Sequence, residues 1–159
     1  MRVVANASPL NYLVLIEAAH LLSELFGTVI IPQAVQEELR HASAPEAVRG
    51  WIDHKPDWLL VRTVQPENGY LARLHRGERE AILLAERVTA DLIILDERAA
   101  RRAATERGLR VTGTLGVLNF AAQRGLVDVS QVIERLRRTS FRASPAMYQW
   151  LLDQQRSRF

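Results

Sequence analysis

The chain has 159 residues, 48% of them hydrophobic and 25% charged, enough for the core of one domain under an ordinary solvated surface. It has no cysteine, which excludes a disulfide framework, a zinc–thiolate centre and a thiol nucleophile. The net charge of +3 conceals a division: residues 1–96 carry nine Lys/Arg against thirteen Asp/Glu, and residues 97–159 carry twelve Arg against five.

The predicted elements alternate short apolar runs with amphipathic helices. Arg2–Ala5 reads as a strand, and Leu10–Leu25 as a helix with Ser8 as N-cap and Pro9 at its first position. Thr28–Ile31 is a short β-branched run, followed by a helix over Pro32–His41. Ala44–Lys55 reads as helix and Leu59–Val64 as strand. Glu67–Val88 keeps helical periodicity with a break near Gly77, and Leu92–Leu95 is a buried-type strand. A helix over Glu97–Arg107 stops at Gly108, and a short strand covers Arg110–Thr112. A helix over Thr114–Arg124 has Thr114 as N-cap and stops at Gly125. Helices over Ser130–Arg138 and Ser144–Gln155 close the chain.

Strands separated by helices imply crossover connections and a parallel sheet covered on both faces. The expected architecture is therefore α/β, as one domain over 1–159 with C-terminal helices at about 130–155. No apolar run approaches the ~20 residues that span a bilayer. The start, Met1–Asn6, breaks too soon to read as a signal peptide, so a cytoplasmic protein is expected, with no membrane association.

Ligands of open parallel sheets bind beyond the carboxyl ends of the strands. Asn6 follows the first strand there, and Asp96, with Glu97 beside it, follows Leu92–Leu95. Asp96 also suits a plain helix N-cap. In Pro32–His41 the apolar face is Val35, Leu39 and Ala42; Glu38 lies on its edge and Glu37 points away. A carboxylate on a core-facing edge loses hydration unless something pairs with it. In the helix near Gly77 the apolar face is Ala81, Ile82, Ala85 and Val88, and phase favours Glu78 over Glu80 for the inward position. The competing reading is that acids in a first turn complement the helix dipole. Converging carboxylates require a hard divalent cation, Mg²⁺ or Mn²⁺.

His20, His41, His54 and His75 lack metal-type spacing, and Gly113–Gly116 is too weak for a nucleotide loop. Trp51, Trp58 and Trp150 read as packing anchors, without the aromatic–basic interleaving of a base-stacking platform. The Arg-rich second half fits either phosphate binding or simple solvation by arginine in a chain whose only lysine is Lys55.

Four segments in this order resemble the PIN-domain family: Asn6-Ala7-Ser8-Pro9-Leu10, Pro32 through Leu39, Gly77-Glu78-Arg79-Glu80-Ala81-Ile82, and Leu92 through Arg98. More narrowly, they resemble the branch whose first motif reads Asn-x-Ser-Pro-Leu and whose end reads Gly-Thr-Leu-Gly-x-Leu, here Gly113–Leu118. The resemblance covers roughly residues 2–155. It implies a three-layer α/β/α sandwich, an acidic pocket for Mg²⁺ or Mn²⁺, and hydrolysis of single-stranded RNA by water. Many such proteins are VapC-type toxins, paired with a small antitoxin protein and often homodimeric. The family's acids fall on Asn6, Glu38, Glu78 and Asp96, with Glu80, Glu97 and Arg101 as alternates and Ser8 as the hydroxyl of the first motif. Most PIN nucleases have Asp where this chain has Asn6. An amide keeps one oxygen ligand but carries no charge, so a PIN fold that binds RNA or protein without cleaving is the alternative.

Overall fold

A computed structural model describes residues 1–66 and 69–157. Its strands are β1 (Val3–Ala5), β2 (Val29–Pro32), β3 (Leu59–Arg62), β4 (Leu92–Ile94) and β5 (Val111–Thr112). All are parallel, in the order β3-β2-β1-β4-β5. The central three are short apolar runs because both sheet faces are covered, leaving no solvent side to demand polar alternation.

The helices are α1 (Ala7–Leu15), α2 (Leu21–Phe26), α3 (Gln33–Arg40), α4 (Glu46–Asp53), α5 (Arg76–Arg87), α6 (Arg98–Glu106), α7 (Thr114–Gln123), α8 (Val129–Arg137) and α9 (Pro145–Ser157), with a 3₁₀ turn at Tyr70–Arg73. Val3, Ala5, Val29, Ile31, Leu92 and Ile94 face one core, filled by side chains of α1 to α4 and α7 to α9. Val4, Ile93 and Leu95 face the other, filled from α5 and α6. The result is the three-layer α/β/α sandwich. Right-handed crossovers require this division. From β1 the chain moves outward to β2 and β3 through helices on one face. It then crosses back to β4 and β5, travelling the opposite way, through helices on the other. The direction reverses between β1 and β4, where the helices diverge and a crevice opens beyond the strand ends.

Four expectations from the sequence are corrected. The helix expected over Leu10–Leu25 is two helices, because α1 ends in a left-handed turn at Glu17 (φ 59°). There Glu17 N–H donates to the Val14 carbonyl and Ala18 N–H to Leu13, the paired bonds of a Schellman cap. Ser8 is not an N-cap but lies inside α1, which Asn6 precedes. Thr114 is likewise the first residue of α7, preceded by Gly113. Trp150 is not a packing anchor: it is 45% exposed, as α9 turns Tyr148 and Leu151 inward instead. The helical stretch expected from Glu67 begins at a residue outside the described part. Its described portion is the 3₁₀ turn and then α5. No helix among the described residues is long and apolar enough to cross a membrane.

Candidate active site

Asn6 and Asp96 flank the crevice at the β1/β4 reversal, and Asn6 N–H donates to the Ile94 carbonyl at 3.0 Å, fixing the two strand ends together. The Asn6 side chain does not cap α1. It is only 5% exposed, and its Oδ1 is buried with no hydrogen-bond partner. A buried amide oxygen left without a donor is costly and calls for an explanation.

The surroundings of Gly77 supply one. A methyl group built on Gly77 would stand 3.4 Å from Asn6 Oδ1 and 3.2 Å from Glu38 Oε1. Both oxygens therefore open onto the same small space, which exists because residue 77 has no side chain. Glu38 as a residue is exposed, but its carboxyl tip turns back over α5. Burial of that carboxyl, and then the neighbouring Glu78 carboxylate, raise its pKa above the ordinary value, with His75 partly offsetting them. Glu78 is 5% exposed, and its Oε1 accepts the His75 N–H at 3.1 Å in a capping box at the start of α5. Its pKa is also raised, by burial first and less by Glu97, while the hydrogen bond and charge of His75 pull the other way.

Asp96 belongs to an adjoining group. It does not cap its own helix but reaches across to α7, where Thr114 N–H donates to Oδ1 at 2.8 Å and Thr114 Oγ1 donates to Oδ2 at 2.7 Å. Ser8 Oγ approaches the same Oδ2 at 3.5 Å. Arg101 donates to the Leu95 carbonyl at 2.9 Å and sets its charge beside Asp96. Burial nevertheless dominates and raises the Asp96 pKa. Gly113 leaves room for this arrangement: a methyl group on it would lie 2.7 Å from Arg101 Nη1, 2.8 Å from Asp96 Oδ1 and 3.2 Å from the Leu95 carbonyl, so both side chains would have to shift. The first turn of α1 joins the groups, with Asn6 facing Glu38 and Ser8 facing Asp96. Glu97 is exposed. Glu80 is partly buried, away from the Gly77 space, and pairs with the exposed Arg76 at 2.8 Å, which also holds Glu37 at 2.7 Å.

Among the described residues no three His, Asp or Glu side chains form a metal-holding group by themselves. The set that fits a cation is mixed: the orphaned Asn6 oxygen with Glu38 and Glu78. All three of Glu38, Glu78 and Asp96 titrate above their ordinary values. The folded chain thus binds protons there more tightly than the unfolded chain. Ionising the three costs stability as pH rises through the carboxylate range. A site short of positive charge and lined by oxygen suits a hard divalent ion. Sequence reasoning placed Gly77 and Gly113 in motifs without seeing the space each leaves, and missed the Thr114 link to Asp96.

The Gly77 space gives a test that separates stability from site chemistry. Gly77→Ala replaces a poor helix former near the start of α5 but sets a methyl 3.2 Å from Glu38 Oε1, so two opposing effects act on the melting temperature and thermal melts are read beside the binding. The added methyl occupies the space between Asn6 Oδ1 and Glu38 Oε1, so Mn²⁺ affinity by calorimetry should fall about 10–100-fold. Unchanged affinity would show that these oxygens do not meet a cation there.

A parallel α/β/α sandwich with acids gathered where the strand order reverses defines this as a PIN-type fold. The family model DUF3368, described as a PIN domain, matches residues 2–157, and the chain belongs to that family. PIN domains are generally nucleases that use divalent metal ions. The fold is similar to that of a PilT N-terminus domain protein from the hyperthermophilic archaeon Sulfolobus solfataricus P2. The two share 18% identity and a TM-score of 0.55, over 74% of this chain and 91% of that one. No curated protein matches the sequence.

Proposed function

We propose that this PIN domain is a Mg²⁺- or Mn²⁺-dependent endoribonuclease for single-stranded RNA, acting as the VapC-type toxin of a toxin–antitoxin pair. The observation that carries the catalytic part is the buried, unpartnered Asn6 Oδ1 sharing its space with Glu38 Oε1 beside Glu78. Asn6, Glu38 and Glu78 would hold the cation. When bound, such an ion lowers the pKa of water and offsets charge on a phosphoryl group. Thr114 and Ser8 orient Asp96 at the neighbouring strand end, and Arg101 limits the charge that accumulates there.

The expected result is cleavage of single-stranded RNA by purified protein with Mn²⁺, none with chelator, and none by Glu38→Gln under either condition. Induced expression should arrest growth, and Glu38→Gln should relieve the arrest. RNA left intact at all cation concentrations would reject catalysis. One observation favours a second reading, an RNA- or protein-binding PIN domain: the residue at the end of β1 is an amide rather than a carboxylate. Mn²⁺ titration decides between the two, since a pure binding module needs no ion at Asn6.

A further inference from the structure

Beside Asp96, a groove of about 800 Å³ runs between the starts of α6 and α7 and the exposed side of α9. Its apolar wall is unusual for a surface. Met147 and Trp150, one helical turn apart, are 48% and 45% exposed, although α9 had an inward side for large residues and used it for Tyr148 and Leu151. Its polar wall is cationic: Arg98, Arg101 and Arg142 line it against the single carboxylate of Asp96. Arg101 is engaged with the Leu95 carbonyl. Arg98 and Arg142 are exposed and form no ion pair among the described residues.

We infer that this groove is a binding subsite for single-stranded RNA, in which Trp150 stacks on an unpaired base flanking the scissile phosphate while Arg98 and Arg142 hold the backbone. The inference rests on the ribonuclease reading and adds to it a determinant of which strand is accepted. An exposed indole and thioether beside two exposed guanidiniums match the two chemistries of a nucleotide, its π-face and its phosphate. The groove also reaches the neighbourhood of the candidate active site: Asp96 lines it, and Ser8, which approaches Asp96 Oδ2 at 3.5 Å, lines a second surface cleft together with Glu38. A duplex keeps its bases stacked inside and offers Trp150 no face. An acidic peptide would satisfy the arginines but leaves the flat aromatic surface without a planar partner.

The test measures binding without cleavage. A fluorescein-labelled, 2′-O-methylated RNA ten-mer is titrated with the 159-residue chain in EDTA and followed by anisotropy. Trp150→Leu should weaken binding about tenfold, Trp150→Phe should restore most of it, and Trp58→Phe should change nothing. Trp58 packs against Trp51 in a tilted pair, ring centroids 6.1 Å apart, and does not line this groove. The same oligonucleotide should quench tryptophan emission in the native protein and not in Trp150→Phe. Equal binding by Trp150→Leu of unchanged melting temperature overturns the inference. So does competition by duplex RNA as strong as by single strands, which would reveal a merely cationic surface. Loss of self-association in Trp150→Leu with RNA binding intact overturns it too, by assigning the groove to a second copy. Binding through Trp150 without any Mn²⁺-dependent cleavage would reject the catalytic reading and keep this one. Cleavage with an indifferent Trp150 would do the reverse.

Discussion

Asp96→Asn is expected to reduce Mn²⁺-dependent RNA cleavage about 100-fold, the scale on which removing one preorganised charge-handling group acts, while leaving the protein folded. The local geometry explains why the two effects separate. Asp96 Oδ1 accepts the Thr114 amide and Oδ2 accepts the Thr114 hydroxyl. Asparagine keeps an oxygen for the amide, which cannot rotate away. Its NH₂ group then meets Thr114 Oγ1, and a hydroxyl can turn from donor to acceptor. The tie between β4 and α7 therefore survives. Because burial raises the Asp96 pKa, the ionised carboxylate is a net cost to the fold above that pKa, and removing the charge offsets part of the weakened hydrogen bonding. The melting temperature should stay within a few degrees of the parent at neutral pH. Thr114→Val is the companion variant: it keeps the charge, loses the hydroxyl that aims it, and should cost about 10–100-fold. Rates on a fluorogenic RNA beside thermal melts check both. Cleavage by Asp96→Asn within threefold of the parent would remove Asp96 from the reaction.

Features set by local constraints are legible in the sequence, and those set by distant packing are not. α6 and α7 end in Schellman turns whose left-handed residues are Gly108 and Gly125, with φ of 81° and 72°. Glycine is visible in a sequence, and both stops are where it predicts them. α1 and α5 end in the same turn with Glu17 and Thr89 in the left-handed position, at φ of 59° and 52°. After α1, the packing of Ile16, Ala18 and Ala19 into the core outweighs the backbone preference, and no single residue marks the boundary. Periodicity alone therefore predicts one long helix where α1 and α2 stand.

The burial of Glu78 was legible because Ala81, Ile82 and Ala85 fix the phase of α5 within two turns. The partner of Asp96 was not, because Thr114 lies eighteen residues further on and meets it only once β4 and β5 are paired. Phase alone also left α9 open: its residues include apolar ones on both sides, and only the packing of α7 and α8 decides that Tyr148 and Leu151 go inward while Trp150 stays out. The PIN resemblance carried the fold correctly, but the contents of the site depended on side chains that no spacing specifies.

Asn6→Asp should change the protein's dependence on cations more than any other single substitution in the site. The residue is buried, its Oδ1 has no donor, and it opens onto the space it shares with Glu38 Oε1. A second charged oxygen placed there meets two carboxyls that already titrate high, Glu38 and Glu78. With chelator present, the new carboxylate has neither water nor a counter-charge, so its pKa must also be raised. Its ionisation then destabilises the fold as pH rises through the carboxylate range. The metal-free variant should melt below the parent at neutral pH, and the difference should vanish in acid, where all three groups are protonated. Added Mn²⁺ reverses the sign, because the same uncompensated charge becomes ligand charge. Binding that tightens about 100-fold would raise the cation's stabilisation by ~2.7 kcal/mol at a fixed ion concentration well above both dissociation constants. The melting shift produced by Mn²⁺ should therefore be several degrees larger in the variant than in the parent. RNA cleavage should be retained or increased if Asn6 acts through its oxygen. If it acts by donating through its NH₂ group, as aspartate cannot, affinity would stay the same and cleavage would be lost. Melts with and without Mn²⁺ at two pH values, beside a cleavage assay, separate these outcomes. Equal Mn²⁺ shifts in parent and variant would show that the oxygen at position 6 is not a ligand.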